Sequence, residues 1–344
     1  MPTINDVAER AAVSTATVSY VINKSRYVSD ELTARVLKAV SDLQFRPSRV
    51  ARNLRQGKTF SLGLVLEDVT HRFAGALFKG IEESATRHGY SILISDIHGD
   101  PKREEASINL LLGQRVEGII YAGYGQAVKL LEGLESEGVP VVVVDKPLDS
   151  PSLSSVLIDN RAGLFSALRH LKTMGYQDLI FINGMAINRN AQQRDEAFRD
   201  FLKRHGLPQV PDQVRYGNYT LQHGFQTTVK ILQEKRPCRA IVCGDDTIAF
   251  GVLAALKAAR KKIPEDVAVV GFDNDLFAQV MDPPLSTVLY PAREMGQVAF
   301  EVFHRRHTRK RKQPEHVVLP TKLLVRRSTD PSCRLYENID GIPE

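Results

Sequence analysis

Aspartates follow several apolar stretches of the sequence and could bind a polar ligand. Asp145 comes directly after four valines, and Asp159 follows a further apolar run. Asp245 and Asp273 repeat the pattern later in the chain. Carboxylates accept hydrogen bonds from ligand hydroxyls, although a single aspartate at a strand end is more often an ordinary helix cap. Their recurrence favours a shared binding site. The sequence shows no serine or cysteine nucleophile with an evident partner base, so nothing in it supports an enzymatic function.

A second group of residues, near the N-terminus, is suited to contact DNA. Ser14 can cap a short helix in which Val18 faces inward. Thr15, Ala16 and Tyr20 are then left on the outer face. Since the second helix of a helix-turn-helix presents its N-terminal side chains to base edges, these three are candidate base readers.

Two further short helices would position that reading helix. Thr3 and Asp6 form a capping-box-like start for a first helix from about Ile4. Residues 30–45 carry apolar side chains at helical spacing and predict a third helix, capped by Ser29. Three helices in this order predict a helix-turn-helix head.

The charge of this region favours nucleic acid over protein docking. Residues 1–58 contain ten lysines and arginines against five acidic residues, whereas the net charge of the whole chain is +6. Nearly all of the excess positive charge therefore lies in the head and its linker. A docking module without nucleic acid is the alternative.

A short basic segment, residues 47–57, follows the head. It begins with proline and ends with glycine, which predicts a helix too short to be stable alone. Arg49, Arg52 and Arg55 recur every third residue, so we expect the segment to fold only beside phosphates. Leu54 could then wedge into the minor groove, or it could pack against the next domain.

The rest of the chain alternates apolar strands with helices. Strands are predicted at residues 62–66, 91–95, 116–121, 139–144, 156–158, 179–183, 240–243 and 267–272. Helices are predicted at residues 74–88, 102–114, 126–137, 162–174, 194–205, 222–234 and 247–261. Strands apolar on both faces indicate parallel sheets covered by helices. We expect an α/β fold with two doubly wound sheets, the first four strands in one and the last four in the other, and a cleft between them.

Composition is consistent with this division. The chain has 344 residues, of which 43% are hydrophobic and 25% charged, as in a globular protein of two or three folding units. Neither a membrane span nor a signal sequence is evident, so a cytoplasmic location is expected. Cys238, Cys243 and Cys333 have spacing that favours reduced thiols over disulfides or zinc. No metal or cofactor is predicted.

The head and linker resemble a known family. The similarity is carried by Thr3-Ile4-x-Asp6-Val7-Ala8, Val13-Ser14-x-x-Thr17-Val18-Ser19-x-Val21-Ile22-Asn23 and Pro47-x-x-x-Ala51-Arg52-x-Leu54. These motifs are similar to the head and hinge of the lac repressor and purine repressor family of bacterial transcription regulators. The resemblance implies a homodimer that reads a near-palindromic operator with two heads and two paired hinges, and it implies Leu54 as the minor-groove wedge.

On this basis we expect a DNA-binding head at residues 1–46, a hinge at 47–60, an effector-binding and dimerisation domain at 61–330 and a tail at 331–344. The tail shows no heptad leucines, so a dimer is expected rather than a helical tetramer. The expected DNA contacts are Thr15, Ala16, Thr17, Ser19, Tyr20, Asn23, Arg26, Ala51, Arg52, Leu54 and Arg55.

For the cleft, the resemblance implies the fold of periplasmic sugar-binding proteins. Arg194 and Asp273 are the expected principal effector contacts, surrounded by Phe73, Asp145, Lys146, Asp159, Asn190, Tyr219 and Asp245. Ala74 and Lys146 occupy places where the purine repressor has aromatic rings that stack on its base, which disfavours a purine. A sugar fits better. Lys146 with Arg194 would favour a sugar acid or sugar phosphate, unless the lysine pairs with a carboxylate.

These expectations describe a ligand-responsive repressor of carbohydrate-utilisation genes. The alternative is a cytoplasmic sugar-binding protein or enzyme whose helical head docks to protein. His304 and His307 stand in a basic stretch and could be a metal pair or a second nucleic-acid patch. A solvated helix end and loop is favoured, because no carboxylate or thiol accompanies the histidines in the sequence.

Overall fold

The chain forms two compact units, one ending at Phe60 and the other beginning at Ser61. The structure, a computed structural model, describes residues 2–45, 58–70, 72–98, 100–234, 236–309 and 313–333. The predicted hinge segment 47–57 and most of the predicted tail lie outside the described residues. Within the described part, every helix is too short or too polar to cross a membrane.

The first unit contains the three predicted helices, α1 (Ile4–Ala11), α2 (Thr15–Asn23) and α3 (Asp30–Asp42). Their core is built on three fully buried valines, Val7, Val18 and Val36, one from each helix. The helical spacing of apolar residues was therefore sufficient to identify which faces pack together.

The ends of these helices follow the predicted caps with one exception. Thr3 and Asp6 form a complete capping box, and Ser14 accepts a hydrogen bond from the amide of Thr17. Ser29 occupies the N-cap position of α3, but its side chain makes no cap hydrogen bond, so the prediction that it caps the helix was wrong. Two acidic residues in the first turn of α3 favour that helix end instead.

The second unit alternates strands and helices as predicted. Its strands are β1 (Ser61–Leu66), β2 (Ser91–Asp96), β3 (Ile119–Ala122), β4 (Val141–Val144), β5 (Ser154–Ile158), β6 (Leu179–Asn183), β7 (Val214–Tyr216), β8 (Ala240–Cys243), β9 (Ala268–Asp273), β10 (Ser286–Leu289), β11 (His316–Leu319) and β12 (Lys322–Leu324). Its helices are α4 (Arg72–Arg87), α5 (Glu104–Gly113), α6 (Val128–Ser136), α7 (Asn160–Thr173), α8 (Arg189–His205), α9 (Leu221–Gln233), α10 (Asp246–Ala258) and α11 (Ala292–Arg309), with 3-10 turns at Pro101–Arg103 and Leu276–Gln279.

The strands form two six-stranded sheets, ordered β11-β5-β4-β3-β1-β2 and β12-β10-β9-β8-β6-β7. Neighbouring strands are parallel except β12, which is antiparallel to β10. The assignment of strands to sheets was partly wrong, because β5 pairs with β4 in the first sheet rather than opening the second. The chain later returns to the first sheet through β11. A local pattern identifies a strand but carries no information about its sheet.

Four strands and one α-helix of the described part of the second unit had not been predicted. Strands β7, β10, β11 and β12 have only three or four residues each and include polar side chains, whereas the equally short β4 and β8 are apolar throughout. Helix α11 is different, because its buried Met295, Ala299 and Phe303 follow helical spacing. Its signal was present in the sequence and was overlooked.

Glycines bring one pair of helices together on each sheet. A Cβ atom on Gly80 of α4 would lie 1.9 Å from the carbonyl oxygen of Arg293 in α11, and one on Gly296 would lie 2.2 Å from that of Leu77. Gly224 and Gly251 make the same kind of approach between α9 and α10. The helix backbones in both pairs are thus closer than any side chain would permit.

We expect Gly80→Ala to lower the free energy of unfolding by about 1–3 kcal/mol, because the new methyl group overlaps the backbone of α11. Gly75→Ala is the matched control, since it lies on the same helix with nothing within 4 Å of the added atom. It should leave stability unchanged or raise it by up to about 1 kcal/mol. Denaturant unfolding measures both, and equal stability of the two variants would contradict the packing argument.

Candidate functional site

A cavity of about 240 Å³ lies in the second unit, where β1, β3, β4 and β9 end. Polar side chains from the loops after these strands meet there, as the parallel sheets require. It contains eight of the nine expected effector contacts: Phe73, Asp145, Lys146, Asn190, Arg194, Tyr219, Asp245 and Asp273.

Asp159 is the expected contact that does not line this cavity. Its carboxylate caps α7 by accepting a hydrogen bond from the amide of Ala162 at 2.7 Å. It borders a second cavity of about 320 Å³, which shares Asp145 and Asn190 with the first.

Asp145 is the centre of a network that joins the two halves of the unit. It follows β4 of the first sheet with φ +62°, a conformation that aspartate tolerates better than most residues. Its Oδ1 accepts a hydrogen bond from Nδ2 of Asn190 at 2.7 Å and another from the hydroxyl of Tyr290, which follows β10 of the second sheet. Burial and the neighbouring carboxylate of Asp145 raise the pKa of Tyr290, so its hydroxyl stays a donor.

The network continues to Arg194. Asn160 donates to Oδ1 of Asn190 at 3.0 Å and accepts from Nε of Arg194 at 2.8 Å. The buried guanidinium also donates to the carbonyl oxygen of Gly244 and lies 3.8 Å from the ring centroid of Phe272. These contacts fix the orientation of a positive charge at the wall of the cavity.

Asp273 lies in an unusual backbone turn. Its φ is +122° and that of Asn274 is +57°, both rarely adopted by residues with a side chain. The turn is held by Arg326, which donates to Oδ1 of Asn274 at 2.8 Å, and by Thr287, which accepts from the amide of Asn274 at 3.2 Å. Burial raises the pKa of the Asp273 carboxyl, and Asp245 raises it further.

Asp246 also stabilises this turn. Its carboxylate accepts hydrogen bonds from the hydroxyl of Thr287 at 2.6 Å and from the amide of Asp275 at 2.7 Å. Burial raises its pKa to about 8, although both hydrogen bonds act in the opposite direction. A Cβ atom on Gly271 would lie 2.0 Å from Oδ1 of Asp246, so only glycine fits beside it.

Lys146 forms an ion pair with Glu67, which also lines the cavity. Ala74, expected beside the ligand from the family resemblance, also lines the cavity. Glu67 is one of the lining residues that had not been identified in the sequence: Leu66, Glu67, Asp68, Ala122, Tyr124, Met185, Asn188, Asn218 and Tyr290. Several of them follow strand ends in the same way as Asp145. Tyr290 follows β10, so recognising that strand would have identified it.

In the first unit, α2 presents the expected base readers. Thr15 and Ala16 at its start are exposed, as are Asn23 and Arg26 at and beyond its end. Thr17, Ser19 and Tyr20 are half-buried. The remaining expected DNA contacts, Ala51, Arg52, Leu54 and Arg55, lie outside the described residues.

Hydrogen bonds and a ring contact order this surface. Asn23 donates to the carbonyl oxygen of Ser19 at 2.8 Å and to its hydroxyl at 3.2 Å. The guanidinium of Arg26 lies 5.5 Å from the ring centroid of Tyr20. Arg35 of α3 donates to the carbonyl oxygen of Ala11 at 2.6 Å, which ties α3 to the turn between α1 and α2.

The two histidines of α11 do have carboxylates beside them in the folded chain. Nε2 of His307 lies 3.1 Å from Glu117, and Glu301 lies beside His304 together with His88. The argument that no carboxylate accompanies these histidines was therefore wrong. Glu117 and His88 are distant in sequence and come close only through the packing of α11 on the first sheet.

Comparison with protein families gives two matches in chain order. Residues 3–48 match the bacterial regulatory proteins of the lacI family, and residues 168–329 match the periplasmic binding protein-like domain. The first match covers the helical head, and the second contains β6 to β12 with Arg194 and Asp273.

Curated relatives match almost the whole chain. The HTH-type transcriptional regulator DegA of Bacillus subtilis is 33% identical over 334 residues, which is 96% of this chain and 98% of the relative. The HTH-type transcriptional repressor PurR of Vibrio parahaemolyticus is 33% identical over 308 residues, 89% of this chain and 92% of the relative. These relatives regulate transcription and are not enzymes, and the same holds for this chain.

Solved structures agree with the fold. A lac repressor dimer bound to operator and the anti-inducer ONPF has a TM-score of 0.87 at 24% identity, with 95% of this chain and 99% of that chain covered. A complex of the transcriptional regulator CelR with cellobiose has a TM-score of 0.72 at 27% identity, covering 95% and 100%. Since a relative at 33% identity is matched along nearly its full length, the chain belongs to the lacI family of bacterial transcriptional regulators.

Proposed function

We propose that this chain is a repressor that binds operator DNA as a homodimer and is controlled by an uncharged carbohydrate. The observation that carries the choice of effector is the charge of the cavity. Five carboxyl groups line it, namely Glu67, Asp68, Asp145, Asp245 and Asp273, against the two cations Lys146 and Arg194. Even without Asp273, whose pKa is raised by burial, the acidic groups outnumber the cations.

The cations do not favour an anionic ligand. Lys146 is already paired with Glu67, and Arg194 is held by Asn160 and the carbonyl oxygen of Gly244. A sugar acid or sugar phosphate would bring further negative charge to a wall of carboxylates, which costs binding free energy. Sugar hydroxyls donate hydrogen bonds to carboxylates and match this wall better.

Aromatic side chains provide a second surface for a sugar. Phe73 and Tyr290 meet edge to face with ring centroids 5.4 Å apart, and Tyr124 and Tyr219 also line the cavity. Apolar walls with a few convergent polar groups are typical of small-molecule sites. The cellobiose complex of CelR supports a carbohydrate as the ligand class.

We expect neutral sugars to raise the melting temperature of the protein in a thermal-shift panel. Sugar acids, sugar phosphates and purine bases should leave it unchanged. Asp145→Asn should weaken binding of the stabilising sugar about tenfold, because it removes the charge that accepts sugar hydroxyls. Asp149→Asn is the control, since that side chain is 91% exposed and lies outside the cavity lining. Stabilisation by a purine base or by an anionic sugar alone would overturn the proposal.

Two features support DNA binding. The start of α2 is exposed, and the head is positively charged. Thr15 and Ala16 stand at the position from which a recognition helix contacts base edges. Binding to bacterial operators would place the protein in the cytoplasm. Head docking to another protein is the competing function, and it requires no phosphate contacts.

We expect Leu54→Ala to lower affinity for DNA selected from a random pool by about tenfold or more, because the minor-groove wedge is lost. Affinity for the stabilising sugar should stay nearly unchanged. Fluorescence anisotropy at several salt concentrations measures the first effect, and DNA binding should weaken steeply as salt rises. An equal loss of both affinities would contradict the separate role of the hinge, and weak salt dependence would favour protein docking.

Exposed apolar side chains support a homodimer. The segment 276–280 exposes Leu276, Phe277 and Val280, the last at 75%. Strand β2 lies at one edge of the first sheet, and its Ile94 is 45% exposed. A second copy of the chain would cover such surfaces, which are costly to leave in water.

We expect Val280→Asp to shift the protein from dimer towards monomer in sedimentation experiments, because a charge would be buried in the proposed interface. Val210→Asp is the control, as Val210 is 46% exposed in a loop before β7. At protein concentrations low enough for the wild type to be monomeric, both variants should have the melting temperature of the wild type. An unchanged dimer in Val280→Asp would exclude this segment from the interface.

A further inference from the structure

We propose that His88, Glu301 and His304 form a binding site for a divalent transition metal such as Zn²⁺, separate from the ligand cavity. Their potential ligand atoms all lie within 4.8 Å of one another. His88 directly follows α4, whereas Glu301 and His304 lie on α11. The site therefore bridges two helices that pack together on the first sheet.

The donor set suits zinc. Two imidazole nitrogens and one carboxylate oxygen provide three protein ligands, and the remaining coordination position would be filled by water or an added ligand. Zinc bonds of about 2.0–2.2 Å in tetrahedral geometry keep ligand atoms about 3.4 Å apart. The present spacing of up to 4.8 Å is larger than this, so the three side chains must move together when an ion binds. Imidazole ligands also suit Co²⁺, Ni²⁺ and Cu²⁺, which gives spectroscopic probes for the same site.

The tautomer of His88 is set for metal binding. Its Nδ1 lies 2.9 Å from the carbonyl oxygen of Ser84, which can only accept a hydrogen bond. This hydrogen bond requires the ring proton on Nδ1 and leaves Nε2 as the nitrogen that would bind a metal. Histidine ligands in metalloproteins are commonly held in this way by a backbone carbonyl.

The two imidazole rings are also held in place by aromatic neighbours. Their centroids are 4.2 Å apart, and Phe300 stacks on His304 with an interplanar angle of 13°. Tyr90 contacts His304 edge to face. Rings that already pack among aromatic neighbours have less conformational entropy to lose when they adjust to an ion.

The two arginines that follow His304 on α11 are engaged elsewhere. Arg305 pairs with Glu315 and Arg306 with Glu135, both at 2.7 Å. Within the described residues, the histidine–carboxylate ion pairs involve His98 and His307, and none joins Glu301 to a histidine. Glu301 can therefore turn towards an ion without breaking an ion pair seen in this part of the chain.

The experiment uses tag-free, full-length protein stripped with EDTA and titrated with ZnCl₂ by calorimetry. We expect one Zn²⁺ per chain, with binding weakened about tenfold or more in His88→Ala and in His304→Ala. Cobalt should give visible bands of a tetrahedral nitrogen and oxygen site in the wild type, and these should disappear in both variants. Zinc should raise the melting temperature of the wild type and leave that of the variants unchanged.

His98→Asn is the control, because it removes a surface histidine that also has a carboxylate neighbour, at 3.1 Å. It should bind zinc like the wild type. Glu301→Gln is a milder variant in case the alanine variants do not fold, and it should weaken zinc binding as well. Absence of saturable zinc binding to the wild type, or equal binding in wild type and His88→Ala, would overturn the proposal.

Discussion

The parallel direction of the strands is the constraint on which the ligand cavity depends. Among the strands that the structure describes, every neighbouring pair in the first sheet is parallel, and in the second only β12 runs the other way. Parallel strands end at a common edge, so the residues that follow them are brought together without being close in sequence. Asp145 and Asp273 are 128 positions apart by their numbering, yet both line one cavity. The same connectivity requires helices on both faces, and the glycines of α4, α9, α10 and α11 let neighbouring helices there pack closely.

Charged side chains around a partly buried cavity destabilise the fold unless they have hydrogen-bond partners. Asn160 and Asn190 supply them, because an amide side chain donates and accepts at the same time. Between them they connect the negative Asp145 to the positive Arg194 in one continuous chain of hydrogen bonds. Removing one amide would leave a buried charge with too few partners, which costs far more than an exposed polar substitution. Asp246 follows the same rule at the turn that carries Asp273, where two hydrogen bonds oppose the effect of its burial.

Short-range patterns in the sequence were enough for much of this architecture. Apolar spacing identified the three helices of the head, and apolar runs identified eight of the twelve strands that the structure describes. Eight effector contacts expected from the family resemblance line one cavity. What could not be predicted depends on contacts distant in sequence: the return of β5 and β11 to the first sheet, the pairing of Lys146 with Glu67, and the placement of Glu301 beside His88. Asp159 illustrates the limit, since an aspartate after a strand can cap a helix as readily as it can bind a ligand.

The contacts between the two halves indicate how a ligand could change the relation between them. Asp145 of the first half is bonded to Asn190 and Tyr290 of the second, so a ligand hydroxyl that bonds to Asp145 must compete with or add to these contacts. A ligand shifts a conformational equilibrium only by its difference in binding free energy between the two states. A second contact between the halves lies nearby: Arg72 of α4 pairs with Asp275 at 2.9 Å and stacks on Phe277 at 4.3 Å. Phe277 belongs to the segment 276–280, which we propose to be part of the dimer interface. Asp275 directly precedes this segment in the chain. A change at the cavity that moves Asp275 would therefore also move the segment, without any longer chain of side-chain contacts.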